Sequence, residues 1–570
     1  MENWVITAKK ADFKMIAAKY GIDQVTARLI RNRDIVGDEE IEKYLHGGLD
    51  MLPSFRLLKD IDKAEDLLKD KIKEKKKIRI IGDYDIDGVM ASYILLKGFQ
   101  RIGAKVDVMI PDRMTDGYGL NESLIRRAHE DGIDTIVTCD NGISAAQQIL
   151  LAKELKMDVV VTDHHEIPFL EQEGERREIL PEAKAVVDPK RSDCSYPFKG
   201  ICGAVVAAQL VAALYEEMGI PSVEMEAFLE YEAIATIGDV MDLQADNRIL
   251  VREGLKRLKN SKNLGLQALM EVTGIDPEHI APYHIGFVLG PCLNAAGRLE
   301  TAKLSLALLC ADTPDKAKKM AEELKALNEE RKSLTNEGVE SAIAMIEGGE
   351  LAEDKVLVVY LPKCHESIAG IIAGRIRERY HKPCFVITKA KDGLKGSGRS
   401  IEAYSMFERL TEVADLLDKF GGHPLAAGLS LQKKNLNEFR RRLNENCGLT
   451  EENLREKVVI DMAMPFAYVS MELVREFSLL EPFGKGNSKP IFAQKDLLVR
   501  DCRTMGNAGR VAKMQLLDQQ GHSCEGIYFG DAQEFINTVK KQGKIDIVYY
   551  PEINSWRGKE SLQMVIQRYR

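Results

Sequence analysis

The sequence predicts an α/β protein of several packed units: a parallel-sheet domain, a long connecting helix, a second α/β domain and a C-terminal β-barrel. Three observations lead there. The chain has 570 residues, against about 100–200 per domain. Between residues 77 and 189, five short β-branched runs each lead into a polar turn and an amphipathic helix, the alternation of βαβ units. After residue 458, short strand-like runs separated by turns replace long apolar helices, as in a small barrel.

The elements follow in order. Residues 1–50 read as a helical N-terminal region. Residues 51–311 form the first α/β domain, with strands predicted at IRII (78–81), VDVMI (106–110), TIVTC (135–139), DVVVT (158–162) and AVV (185–187) and mainly helices after Gly203. Thr313-Pro314-Asp315 makes a cap and first turn for a charged helix bridging two lobes, residues 312–350. Residues 351–457 begin a second α/β unit with VLVVY, the apolar helix IAGIIAGRIRERY, the strand CFVIT, LKGSGRS and FGGHPLAAGLSL. Residues 458–570 are assigned to the barrel.

Composition narrows the function classes. Hydrophobic residues make up 45% and charged residues 30%, as in globular chains able to bury cores. No apolar run has the length of a membrane span and the N-terminus lacks a signal-peptide pattern, so a cytoplasmic protein is expected. The ten cysteines include no C-x-x-C pair, which fits reduced thiols rather than a disulfide framework or zinc site. The net charge of -9 hides an asymmetry: residues 481–570 carry 14 Lys+Arg against 10 Asp+Glu, and the remainder 66 against 79. A cationic tail on an acidic body suits an anionic partner and a carboxylate-rich metal site, although an ordinary solvated surface also gives such a tail.

Each predicted strand of the first domain ends in an acidic or polar cluster: GDYDIDG, PDR, DNG, DHH and DP. Ligands of parallel α/β sheets gather at the carboxyl ends of the strands, so these clusters converge on one crevice. A single Asp there is usually a turn former or helix cap, but five clusters at corresponding places exceed that explanation. Asp83, Asp85 and Asp87 alternate along one short loop, and carboxylates so crowded repel one another unless cations intervene. Asp140 comes from another strand end, and Asp163-His164-His165 from a third. Hard oxygen ligands suit Mg²⁺ or Mn²⁺, added imidazole favours Mn²⁺ over Ca²⁺, and the set suffices for two ions, an arrangement used in phosphodiester hydrolysis.

GDYDIDG, CDNG, TDHH and IGDVMD, followed by FGGHPLAAG in the second lobe, resemble the DHH phosphoesterase superfamily with its DHHA1 domain. IPDRMTDGYGLN, LNAAGRLE, HESIAGIIAGRI, GSGRS and EPFGKGNSKPIF narrow the resemblance to the RecJ exonuclease family and cover most of the chain in order. The resemblance implies a DHH domain, a DHHA1 domain and a C-terminal OB-fold. It also implies a metal-dependent 5′→3′ exonuclease on single-stranded DNA that releases 5′-mononucleotides in recombination and repair, alongside a single-stranded-DNA-binding protein and a helicase. By the same resemblance Asp85, Asp87, Asp140, His164 and Asp239 are metal ligands, with Asp140 bridging and Asp83 completing the first site. His165 becomes a catalytic or supporting group oriented by Asp163, which also has a structural alternative, and Arg298 steadies a phosphate or caps its helix. Three positions depart from the family pattern: Ile81 replaces a common His ligand, Cys292 an Arg and Cys364 a Trp.

The remaining candidates are nucleic-acid grips. Ser397 and Arg399 lie among glycines that permit close approach to a phosphate, or make a tight hairpin. Arg113 follows a strand, and Tyr118 either stacks on a base or packs. His423 contacts phosphate or bonds its own turn. Two alternatives to the exonuclease are a DHH phosphodiesterase for short oligoribonucleotides or cyclic dinucleotides, and a catalytically inactive DNA-binding scaffold. The C-terminal barrel and LNAAGR count against the first, and the full acidic set against the second.

Overall fold

The structure, a computed structural model of the chain, describes residues 2–112, 119–172, 175–349, 351–506 and 509–570. In the first lobe β1 (Lys77–Ile81), β2 (Lys105–Met109), β3 (Thr135–Cys139), β4 (Asp158–Thr162) and β5 (Ala185–Val187) form an all-parallel sheet in the order β2-β1-β3-β4-β5. Their near-continuous apolar character follows from burial on both faces. Ile78, Ile80, Val137 and Val160 enter one core with α1 (Ile86–Arg101) and α2 (Gly203–Glu217). Ile81, Ile136, Val159 and Val161 enter the core on the opposite face. The second strand spans Lys105–Met109 rather than 106–110. Between β4 and β5 the chain adds a hairpin, Phe169–Gln172 against Glu175–Glu178, whose polar pattern gave no strand signal.

The strand order reverses direction between β1 and β3, and open α/β sheets bind ligands in the crevice beyond such a switch point. The loops leaving these two strands carry Asp83-Asp85-Asp87 and Asp140. Helices α3 (Leu229–Gly238) and α4 (Gly290–Leu299) complete the lobe around that crevice.

Helix α5 (Pro314–Glu347) starts as anticipated, with the Thr313 hydroxyl accepting from Lys316 N. Its Ala317, Ala321 and Leu324 pack into the first lobe's core, while Ala342 and Ile346 pack into the second lobe's, so one rigid rod spaces the lobes. The second lobe is a five-stranded sheet of β6 (Leu357–Tyr360), β7 (Cys384–Ala390), β8 (Gly393–Arg399), β9 (Leu417–His423) and β10 (Ala426–Leu431), in the order β9-β10-β8-β7-β6. Only β6 and β7 run parallel, with α6 (Ala369–Tyr380) as their crossover.

The C-terminal domain closes a ring of β11 (Phe492–Met505), β12 (Val511–Leu517), β13 (Ser523–Phe529), β15 (Lys559–Tyr569) and β14 (Lys544–Trp556), with α7 (Ala532–Gln542) between β13 and β14. β11 makes closure possible: its first half pairs with β14 and its second half with β12. Register shifts between Gln494 and Leu497 and between Arg500 and Arg503 bend it between the two partners.

The N-terminal region is helical after a first strand, Asn3–Ile6, that pairs in parallel with Lys457–Ile460. Leu29, Ile30, Tyr44 and Leu45 share a core with Phe492 and Tyr549 of the barrel, so the two ends of the chain fold together. Arg248 ties this unit to the first lobe by donating to the carbonyls of Tyr44, Leu479 and Leu480. No helix among the described residues is long and apolar enough to cross a membrane.

Candidate metal centre and interlobe cleft

The loop after β1 is shaped by helix capping. Asp85 is the N-cap of α1, its Oδ1 accepting from the amides of Asp87 and Gly88 at 3.1 Å each. A side chain at Gly88 would lie 2.5 Å from the Asp83 carbonyl, so only glycine lets the loop fold back on the helix. Asp87 is buried, and both its carboxylate oxygens accept at 2.7 Å from Gly203 N and Ala204 N at the start of α2. Two helix N-termini therefore hold this acidic loop, where their dipoles favour negative charge.

Asp140 occupies the left-handed region at φ 60° at the end of β3. Conformations of this kind cost about 1–3 kcal/mol and persist where surroundings over-determine them. Here the Asn141 amide donates to the carbonyls of Ile81 and Cys139, clamping the turn between β1 and β3. The buried Asp140 Oδ1 lies 3.0 Å from His164 Nε2, with no hydrogen-bond partner among the described residues. His164 Nε2 also stands 3.4 Å from Asp87 and 3.7 Å from Asp239, which caps the C-terminus of α3. Asp163 positions the two histidines: its Oδ1 accepts from both their amides and contacts His165 Nδ1 at 2.7 Å, while its Oδ2 accepts from Ile143 N.

Three groups of potential ligand atoms thus converge within 4.8 Å: Asp83, Asp85 and Asp140; Asp87, His164 and Asp239; and Asp140, His164 and His165. Asp140 and His164 are each common to two of them, so the three groups form one contiguous cluster. Burial, reinforced by Asp87, Asp85 and Asp83, pushes Asp140 well above the carboxylate range, and burial with Asp87 and Asp85 raises Asp239 to about 8. Burial also depresses His164, leaving the neutral imidazole a metal requires. Burial opposes the charged form of His165 too, but the bond to Asp163 prevails and raises it to about 9. The donors are oxygen and imidazole, and their mutual repulsion is what divalent cations relieve, so the residues fit Mn²⁺ or Mg²⁺. Ile81 is buried in the sheet core and offers no ligand, whereas Asp83 joins Asp85 and Asp140.

The acidic loop borders a cavity of about 280 Å³ between the lobes, lined by Tyr84 from the first and by Ser367, Lys395, Gly396 and Ser397 from the second. Ser397 and Arg399 sit on β8, two residues apart and hence on one face. Arg399 lies along α6, where a side chain at Gly370 would come within 3.1 Å of its guanidinium, which explains the small residues of that helix. Arg298 reaches across the interface, Nη1 donating to the Ser367 carbonyl at 2.9 Å. His423 lies apart on an exposed strand end, its Nδ1 accepting from Leu425 N at 3.3 Å, a turn bond. Cys292 is buried and accepts from the Asn328 amide, and Cys364 is half-buried. Arg113 and Tyr118 lie outside the described residues. Sequence reasoning missed the Gly203 and Ala204 amides, Ile143 N and Asn141, which hold the ligands through backbone groups without a side-chain motif.

Residues 77–236 match the DHH family, N-terminal domain; residues 353–448 match the DHHA1 domain; and residues 460–568 match the RecJ OB domain. The single-stranded-DNA-specific exonuclease RecJ of Bacillus subtilis is 34% identical over 99% of this chain and 70% of its own length. Its Escherichia coli counterpart is 34% identical over 95% of this chain and 94% of its own length. The crystal structure of RecJ in complex with Mn²⁺ from Thermus thermophilus superimposes with a TM-score of 0.84 at 26% identity, covering 100% of this chain and 79% of that one. The Mg²⁺ complex from the same organism gives 0.77, also at 26% identity, over 100% of this chain and 78% of that one.

Proposed function

The chain belongs to the RecJ family and is a metal-dependent single-stranded-DNA exonuclease, and from that premise we propose that it digests from the 5′ end and releases 5′-mononucleotides. In this reading Asp83, Asp85, Asp87, Asp140, His164 and Asp239 would hold two Mn²⁺ or Mg²⁺ ions. Bound there, the ions supply Lewis-acid activation of water and of the scissile phosphate. His165, fixed by Asp163 through Nδ1, presents Nε2 for proton transfer at the reacting phosphate. Asp163 acts through His165 as its positioning residue. The observation that carries the proposal is the convergence of the three ligand groups at the sheet's switch point.

Polarity requires a reader for a strand end, and a terminal phosphate differs from internal ones by an extra charge and an unesterified oxygen. In this reading Ser397, which lines the cleft, and Arg399, two residues on along the same strand, would supply a hydroxyl and a guanidinium fork, the chemistry that recognises such a group. Arg113 and Arg298 add cationic contacts in this scheme, and Tyr118 stacks on the terminal base. His423 is the weakest member, since its ring is engaged in its own turn. The barrel grips the strand behind the active site. A single-stranded-DNA-binding protein and a helicase are the proposed partners, in the cytoplasm. The test compares matched oligonucleotides with 5′-phosphate or 5′-hydroxyl ends. The wild type should prefer the phosphate, and Arg399→Ala should erode that preference rather than slow both substrates alike. Equal wild-type rates on both ends, or an undiminished preference in the variant, contradict this pocket.

A further inference from the structure

The stretch EPFGKGN, residues 481–487, precedes the barrel strands, yet it lies against the catalytic lobe. Leu243 N donates to the Lys485 carbonyl at 2.8 Å, and Gln244 Nε2 donates to the Gly486 carbonyl at 3.0 Å. Gly486 is required by this contact, and Gly484 packs tightly in it. A side chain at Gly484 would lie 2.7 Å from Leu243 Cδ1, and one at Gly486, where φ is +71°, would lie 2.9 Å from Asp242 Cβ. Buried Asn487 closes the turn, its amide donating to the carbonyls of Leu480 and Pro482 while its Oδ1 accepts from Arg33 Nε and the Tyr44 hydroxyl. The turn is thus held by the N-terminal region, the catalytic lobe and its own backbone.

The side chain displayed by this rigid turn is Lys485. Its ammonium stands 3.4 Å from Asp242 Oδ1 with both side chains more than half exposed, a pairing worth about 0–1 kcal/mol. The turn has no need of it, because backbone bonds and Asn487 already fix the loop. Asp242 follows Asp239 by three residues, so the turn that carries Lys485 is docked on the segment that leaves the metal centre. A cation held there on a rigid support suits a phosphodiester passing the ions.

We propose that Lys485 is a substrate-positioning residue whose ammonium engages a backbone phosphate of the single strand beside the metal centre. The segment leading into the barrel then contributes to the active site itself. This rests on the single-strand exonuclease reading. The experiment measures kcat/KM on a single-stranded oligonucleotide with Mn²⁺ across a salt series, for the full-length wild type, Lys485→Ala, Lys485→Arg and Asp242→Asn. Loss of one phosphate contact should raise KM about ten-fold in Lys485→Ala and flatten the slope of log kcat/KM against log salt by about 0.7. The Mn²⁺ concentration for half-maximal activity should not change, and Lys485→Arg should restore the slope. Asp242→Asn, which removes a competitor for the ammonium, should leave KM at or below the wild-type value. An unchanged slope in Lys485→Ala, or an Asp242→Asn variant that raises KM as Lys485→Ala does, overturns the proposal and makes the pair structural. A wild type inert on single strands refutes instead the reading on which it rests.

Discussion

Gly203→Ala perturbs the metal centre without removing any ligand. Gly203 N donates to Asp87 at 2.7 Å, and a Cβ built on Gly203 would stand 2.7 Å from Asp140 Cβ and 3.0 Å from Asp140 Cα and Oδ1. Ordinary carbon contacts begin roughly 0.7 Å farther out, so either α2 or the Asp140 turn must yield by that order. The turn has little freedom, being left-handed and clamped by Asn141 between two strands. Overpacking of this kind costs about 1–3 kcal/mol of stability. A displacement near 1 Å at reacting groups costs about 100-fold in rate. The variant should therefore stay folded at 25 °C, bind single strands normally and lose about two orders of magnitude in kcat at saturating Mn²⁺. Gel-resolved digestion of a labelled oligonucleotide, with thermal unfolding alongside, measures both effects. Activity within about three-fold of wild type would refute the claim that the α2 N-terminus sets the Asp140 position.

Metal should stabilise the fold increasingly as pH rises. Asp239, raised to about 8 in the native state against an ordinary 3.8, keeps a proton that the unfolded chain loses, so without metal its contribution falls as pH climbs from about 4 to 8. A divalent ion replaces that proton; at 100 times its Kd it adds about 2.7 kcal/mol, and the Mn²⁺-induced rise in Tm should be larger at pH 8 than at pH 6. Removal of the barrel strands should weaken affinity for a long oligonucleotide far more than it slows turnover of a short bound one, with a shallower salt dependence; equal affinity with and without them contradicts the proposed grip.

What was legible in the sequence was what is local. Strands buried on both faces must be continuous apolar runs, so all five of the first sheet were visible, the first beginning one residue earlier than read and the second displaced by one residue at both ends. The acidic clusters were visible because each occupies one loop, and the fold brings those loops together. The groups that hold those ligands were not. Asp87 is bound by amides more than a hundred residues later, and backbone donors leave no mark on residue type. The pairing of Asn3–Ile6 with Lys457–Ile460 was hidden for the same reason, since nothing near Asn3 encodes its distant partner. The closely spaced glycines Gly370 and Gly374 were a usable signal: they mark where a helix is pared back to seat Arg399.

The central claim, that carboxylates and imidazole at the sheet's switch point drive hydrolysis of single strands from the 5′ end, is tested most directly by following a 5′-labelled single strand with Mn²⁺, using the wild type and Asp140→Ala. The account predicts that the wild type releases the label as a mononucleotide from the first turnover, that EDTA abolishes the release, and that Asp140→Ala binds the strand while releasing no label. Label appearing first in a ladder of shortened fragments, or an Asp140→Ala variant retaining more than a few per cent of the rate at saturating Mn²⁺, would contradict it.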